Sequence, residues 1–157
     1  MNHITWDEYF MGVASLSAKR SKDPNTKVGA CVVNEDKRII GIGYNGFPMG
    51  CSDQVFPWGK TDDNYLKTKY PYVVHAEPNA ILNCTSSLKN STLYVTLFPC
   101  NECAKLIIQA GIKHVIYGDD KYHNEDSSKA SRTMFDAANV TYTKMPKVTI
   151  DIRSEED

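Results

Sequence analysis

From residue 75 onward the sequence alternates blocks of helical and strand periodicity, and that alternation leaves few architectures open. Residues 75–83 read as a helix with Pro78 in its first turn, where proline is tolerated. A strand at 92–98, a helix at 101–110 stopped by Gly111, a strand at 112–117 and a helix at 127–138 follow. Short strands are expected at 140–143 and 148–152. Upstream, Trp6, Tyr9, Phe10, Val13, Ala14 and Leu16 recur at helical spacing, which predicts a helix over 6–19 with Trp6 on its core face. Thr5 and Glu8 can cap it reciprocally. Two apolar runs, 28–33 and 38–43, flank the polar turn Asn34-Glu35-Asp36-Lys37, a hairpin pattern with both faces expected to be covered. Helix, hairpin, then helix–strand units imply one α/β sheet with helices on both faces.

Composition narrows the function. The 157 residues suit one domain, spanning 1–157, with a frayed acidic tail at 153–157. Net charge is −1 and the pI about 6.4, so no basic excess points to a polynucleotide partner. No apolar run reaches the roughly 18 residues a membrane helix needs, and residues 1–8 lack the pattern of a secretory signal. A cytoplasmic location is expected. Five cysteines, an odd count, then read as reduced thiols or metal ligands. Residues 44–71 lose regularity and are punctuated by Gly46, Pro48, Gly50, Pro57, Gly59 and Pro71, with a helical turn expected near 62–66. So long a stretch in a small domain is usually functional or mobile.

The chemistry concentrates in two segments, each at an expected helix start: His75-Ala76-Glu77 and Pro99-Cys100-Asn101-Glu102-Cys103. Cys100 and Cys103 are one helical turn apart, so both sulfurs face one side. A helix N-terminus favours thiolates through its free N–H groups and its dipole. Two thiolates, one neutral imidazole and an open position make a catalytic zinc site, whereas a structural site is closed by a fourth protein ligand. Glu77 can reach that site without ligating, as a base. Cys-x-x-C alone also occurs in redox motifs and structural zinc sites. The redox reading leaves His75 and Glu77 unexplained. A structural zinc needs Cys31, Cys51 or Cys84 as fourth ligand, and Cys31 and Cys84 stand in ordinary places for buried thiols. The combination H-x-E with P-C-x-x-C is the established zinc-deaminase signature.

Other patterns carry less. Gly41-Ile42-Gly43-Tyr44-Asn45-Gly46 matches a dinucleotide fingerprint literally, but Phe47-Pro48-Met49-Gly50 cannot open the helix that fingerprint requires. A glycine-rich loop that admits a phosphate or base remains. Lys19, Arg20, Lys22 and Lys27 are either a solvated helix end or an anchor for one phosphate. His114 and His123 read as packing or surface residues, and Trp58 carries no signal.

At these motifs the chain resembles the zinc-dependent cytidine deaminase superfamily and, within it, the deoxycytidylate deaminases of eukaryotic type. The carriers are Arg20-Ser21-Lys22-Asp23-Pro24-Asn25, Val28-Gly29-Ala30, the 41–46 segment, Lys69-Tyr70-Pro71-Tyr72-Val73 and both zinc segments, together covering about residues 6–152. The resemblance implies a three-layer α/β/α cytidine deaminase-like fold with a central mixed sheet. It implies hydrolysis of dCMP to dUMP and ammonia, supplying dUMP for dTMP synthesis. One Zn2+ per subunit is held by His75, Cys100 and Cys103, and Glu77 moves the protons. The Ala76 backbone reads the base, Asn25 holds the deoxyribose, and Ser21, Lys22 and Tyr122 take the 5′-phosphate. Family members are homohexamers, activated by dCTP with Mg2+ and inhibited by dTTP. That places an effector site at Gly43, Tyr44, Asn45, Gly46, Gly50, Cys51, Ser52 and Asp53. Pro78 departs from the family's usual Leu, and Gly59-Lys60 stands where relatives are more basic. The alternatives are a zinc deaminase of a free nucleoside or other base, and an inactive nucleotide-binding regulator.

Overall fold

A computed structural model describes residues 2–156. The first helix, α1 (Trp6–Ala18), starts where the sequence predicts. The Glu8 N–H donates to Thr5 Oγ1 (3.1 Å) and the Thr5 N–H to Glu8 Oε1 (2.9 Å), so the capping box is complete. Its buried face differs from the expected one. Phe10, Met11, Ala14, Ser17 and Ala18 face inward, while Trp6 is 55% exposed. Phe10 occupies the slot against Tyr94, and Trp6 stacks on the outer side of Phe10.

Five strands follow: β1 (Gly29–Val33), β2 (Ile39–Tyr44), β3 (Thr92–Leu97), β4 (His114–Asp119) and β5 (Thr141–Lys144), with sheet order β2-β1-β3-β4-β5. β1 runs antiparallel to β2 and β3, whereas β3, β4 and β5 are parallel. Parallel neighbours need crossovers, supplied by α3 (Asn101–Gln109) and α4 (Asp126–Ala137). Strand alternation sends Ala30, Val32, Leu93, Val95 and Val115 to one face, against α2 (Ala76–Leu82), α3 and α4. Cys31, Val33 and Tyr94 go to the other face, under α1. Helices cover both faces, as expected from the alternation, and the sheet is mixed, as the resemblance implies.

Two strand expectations fail. β2 is an edge strand with Ile39 and Ile42 exposed, so only β1 of the hairpin is buried on both faces. Residues 148–152 form no strand; Val148 and Ile150 instead lie over Gly12 of α1, closing the side of the sheet that the crossover helices leave open. β4 begins two residues later than predicted, because Ile112 is used as a fully buried plug in the turn after α3.

Glycines set how closely the helices approach the sheet. A Cβ on Gly43 would come within 2.4 Å of the Ala80 nitrogen and 2.6 Å of the Ala76 oxygen, and one on Gly41 within 2.5 Å of the Ala80 oxygen. The glycine-rich segment therefore admits the backbone of α2, not a phosphate. Beyond it the 45–72 stretch is held by a Gly46–Val74 bridge and a small aromatic cluster. Phe47 packs against Trp58 (ring centroids 4.1 Å apart) and Phe56, and Phe56 meets Tyr72 edge-on. Trp58 thus has a packing role that its sequence context did not reveal. The helical turn falls at Tyr65–Lys67, close to expectation. Ser154, Glu155 and Glu156 are exposed and Asp157 lies outside the described residues. No helix among the described residues is long and apolar enough to cross a membrane.

Candidate metal centre and active site

The starts of α2 and α3 converge. His75 is the N-cap of α2 and Cys100 that of α3, and neither spends its side chain on capping. Both side chains are therefore free to ligate. Cys103 stands one turn into α3. His75 Nδ1 lies 3.2 Å from Cys103 Sγ and 3.5 Å from Cys100 Sγ, and the three donor atoms all fall within 4.8 Å of one another. Donors at bond lengths of about 2.0–2.3 Å around a tetrahedral Zn2+ lie about 3.3–3.8 Å apart, so this set fits that ion. Among the described residues it is the one cluster of three or more such donors. Cys31 is fully buried on β1 with its thiol pushed up to about 12 by burial, and closes no fourth position.

Local bonds hold the two helix starts. Ser131 Oγ donates to the Pro99 carbonyl (2.9 Å), and the Asn101 N–H donates to Ser127 Oγ (3.2 Å). Asn79 Nδ2 donates to the Tyr44 carbonyl (2.8 Å), tying α2 to the end of β2. Pro78 costs α2 nothing: the first helical bond runs from the Asn79 N–H to the His75 carbonyl, and an N–H at position 78 belongs to the unpaired first turn.

Electrostatics at the convergence favour a cation. Cys103 donates to Cys100, and that bond outweighs burial in holding the Cys100 thiol at about 4. The same bond, with burial, raises Cys103. The two sulfurs share one proton, which a divalent cation displaces. The His75 ring is pushed toward its protonated form by the Cys100 sulfur, against burial. Glu77 is 3% exposed, and burial raises its carboxyl to about 7 against the pull of His75. A carboxyl so placed can hold or release a proton near neutrality.

These groups open into a cavity of about 450 Å³, within the usual range for small-molecule sites. His75, Ala76, Glu77 and Cys100 form one end; Thr26, Val28, Phe98 and Tyr122 form its walls. Part of its wall is a largely buried polar network of Asp23, Thr26, Asn45 and Lys69. Asp23 accepts from Lys69 Nζ and from the Asn25 and Thr26 N–H groups (2.8 and 3.2 Å). Burial pushes the Asp23 carboxyl up, but these donors outweigh it and hold it below the usual range. Asn45 Oδ1 accepts from the Val28 N–H, and its Nδ2 donates to the Thr26 carbonyl, both at 2.9 Å.

Comparison with known proteins bears on this geometry. A family profile described as the cytidine and deoxycytidylate deaminase zinc-binding region matches residues 4–119. The chain belongs to this family. By sequence the deaminase is 58% identical to the deoxycytidylate deaminase of Homo sapiens over 98% of its length and 89% of that protein. It is 53% identical to the probable deoxycytidylate deaminase of Drosophila melanogaster, over 99% of this chain and 82% of that one. A crystal structure of the dCMP deaminase of cyanophage S-TIM5, in complex with dCMP and dUMP, shares its fold with a TM-score of 0.70 at 31% identity. That match covers 91% of the deaminase and all of the phage chain.

Of the residues singled out from sequence, Asn45, His75, Ala76, Glu77, Cys100 and Tyr122 line the cavity, and Cys103 completes the donor set; Asn45 was expected at the effector site instead. Ser21, Lys22 and Asn25 are not in its wall. Ser21 is buried and donates to the Asn45 carbonyl (2.9 Å); Lys22 pairs with Asp53 (2.6 Å); Asn25 faces a neighbouring crevice. Gly43 packs against α2, Asn45 belongs to the polar network in the cavity wall, and Tyr44 receives the Arg20 guanidinium over its ring. Gly46 bridges to Val74. Gly50 turns the chain at φ +85°, and Cys51, Ser52 and Asp53 occupy the loop beyond. Sequence reasoning missed Asp23 and Lys69 as a pair. Both sat inside quoted motifs, yet nothing in a linear reading joins residues 46 positions apart.

Proposed function

We propose that this chain catalyses the hydrolytic deamination of dCMP to dUMP and ammonia. The observation that carries the reading is a His75–Cys100–Cys103 donor set with buried Glu77 beside it, at the end of a nucleotide-sized cavity, in a chain so similar to deoxycytidylate deaminases. His75, Cys100 and Cys103 would hold Zn2+, which when bound would supply Lewis-acid activation of a water for attack at C4 of the base. Glu77 takes one proton from the attacking water and delivers it to N3, then takes the second from the resulting C4 hydroxyl and passes it to the departing amine as the C4 carbonyl forms. The Ala76 backbone aligns the pyrimidine edge. Phe98 and Val28 exclude bulk water from the ring, and Tyr122 reaches toward the sugar-phosphate end.

Regulation belongs to the same proposal. The effector site, for dCTP with Mg2+ or for dTTP, is assigned to the outer loop of the 43–53 stretch, Gly50, Cys51, Ser52 and Asp53, on a homohexamer, since Gly43 and Asn45 are packed inside. The Lys22–Asp53 ion pair supports coupling, because it joins the loop that borders the cavity to the loop assigned to the effector. Ser21 acts as a brace for that border, and Asn25 as a contact on its outer side.

Ammonia release from dCMP and from deoxycytidine, each with and without dCTP and Mg2+, tests the reading. Turnover of dCMP that rises with dCTP is expected. Turnover of deoxycytidine alone keeps the zinc chemistry and refutes the nucleotide substrate. Metal content without turnover of either revives the inactive regulator.

A further inference from the structure

A second cavity, about 340 Å³, lies against the first on the α1 side of the sheet, at the carboxyl ends of β3 and β4. Thr26 and Leu97 line both cavities, so the two share a wall. Three ammonium groups, Lys27, Lys121 and Lys147, surround this second cavity, and Asp119 is its one carboxylate. Asp119 meets only Lys147, at 3.3 Å, with the Lys147 side chain 68% exposed. Among the described residues neither Lys27 nor Lys121 is in an ion pair; Lys121 Nζ donates to Thr26 Oγ1 at 3.3 Å. Ser15, Asn25 and Thr149 add neutral hydrogen-bonding groups to the rim. The floor at Gly118 carries no side chain, and a Cβ there would come within 3.3 Å of the Thr96 carbonyl.

We propose that this lysine-rimmed crevice binds a phosphate group. Point charges on flexible stems, with hydroxyl and amide groups between them, suit a compact tetrahedral polyanion that accepts from several directions. A flat carboxylate engages fewer of them. Long, exposed contacts to Asp119 and Thr26 leave Lys147 and Lys121 free to turn onto an anion at small cost. The phosphate has two sources. One is the 5′-phosphate of a nucleotide whose base lies in the first cavity and whose tail crosses the Thr26–Leu97 wall. The other is a separate phosphate ligand.

Inorganic phosphate titrated into the full chain and followed by phosphorus NMR tests the proposal directly and does not depend on turnover. The Lys27→Ala/Lys147→Ala double variant is expected to bind phosphate at least about tenfold more weakly, while Lys105→Ala on exposed α3 binds as the parent does. Equal binding by the double variant, or equal loss in Lys105→Ala, overturns the site; circular dichroism checks that each variant is folded. Competition then separates the sources. Displacement by dCMP but not by deoxycytidine assigns the crevice to the nucleotide's own phosphate. Displacement by neither assigns it to a separate phosphate. Displacement by deoxycytidine puts the phosphate in the first cavity and overturns the proposal.

Discussion

Asp23 is fully buried, and its partner Lys69 nearly so. A buried pair of this kind is costly to break, since removing one charge strands the other. Asp23→Asn is therefore expected to lose about 3–5 kcal/mol in urea denaturation. The pH dependence has a definite sign. The folded Asp23 carboxyl lies below its ordinary value, so its contribution is complete above the unfolded pKa, near about 4. It fades as pH falls through the folded value. The parent protein should lose stability more steeply below about pH 4 than Asp23→Asn does. A parallel acid profile for the two proteins would exclude Asp23 as the group responsible. Cys100→Ala removes a donor from the zinc set, and metal analysis should find the ion lost on dialysis. Retention of a full equivalent would break the ligand assignment.

The helices and strands were legible where periodicity and end signals agreed. α1, α3 and α4 begin within a residue of expectation because Thr5, Cys100 and the polar stretch before Asp126 mark their starts. The zinc donors were legible for the same reason: a three-residue spacing at a helix start fixes geometry locally. What stayed hidden depends on partners remote in sequence. Trp6 had the right spacing for the core, but Phe10 and Met11 took the places beside Tyr94. Residues 148–152 had strand composition, yet they lie over Gly12 instead of extending the sheet. Gly43 looked like part of a ligand loop because a glycine does not announce what approaches it. Its actual neighbour, the α2 backbone, gives a test at this scale. Gly43→Val should cost about 1–3 kcal/mol by overpacking. It should also lower turnover of dCMP more than tenfold, because α2 carries both His75 and Glu77. A stable Gly43→Val enzyme with full turnover would show that the close approach does not set the site.

For the molecule as a whole, the three donors join the starts of two helices, α2 and α3, so a bound metal would link its occupancy to stability. Chelation should lower the midpoint of thermal unfolding and abolish activity together, and added Zn2+ should restore both. Zinc uptake should also release protons, since Cys100 and Cys103 share one before binding. Loss of activity on chelation with no shift in unfolding would place the metal elsewhere. The slightly acidic net charge and the small cavity fit a small-molecule substrate better than a polymer. The central claim is a division of labour, in which His75, Cys100 and Cys103 hold the ion and Glu77 moves the protons. Zinc content and dCMP turnover measured on one preparation of Glu77→Gln test it most directly. The account predicts a full equivalent of zinc with turnover reduced about 10²–10⁴-fold or more; zinc-replete Glu77→Gln that still turns over dCMP at the parent rate would contradict it.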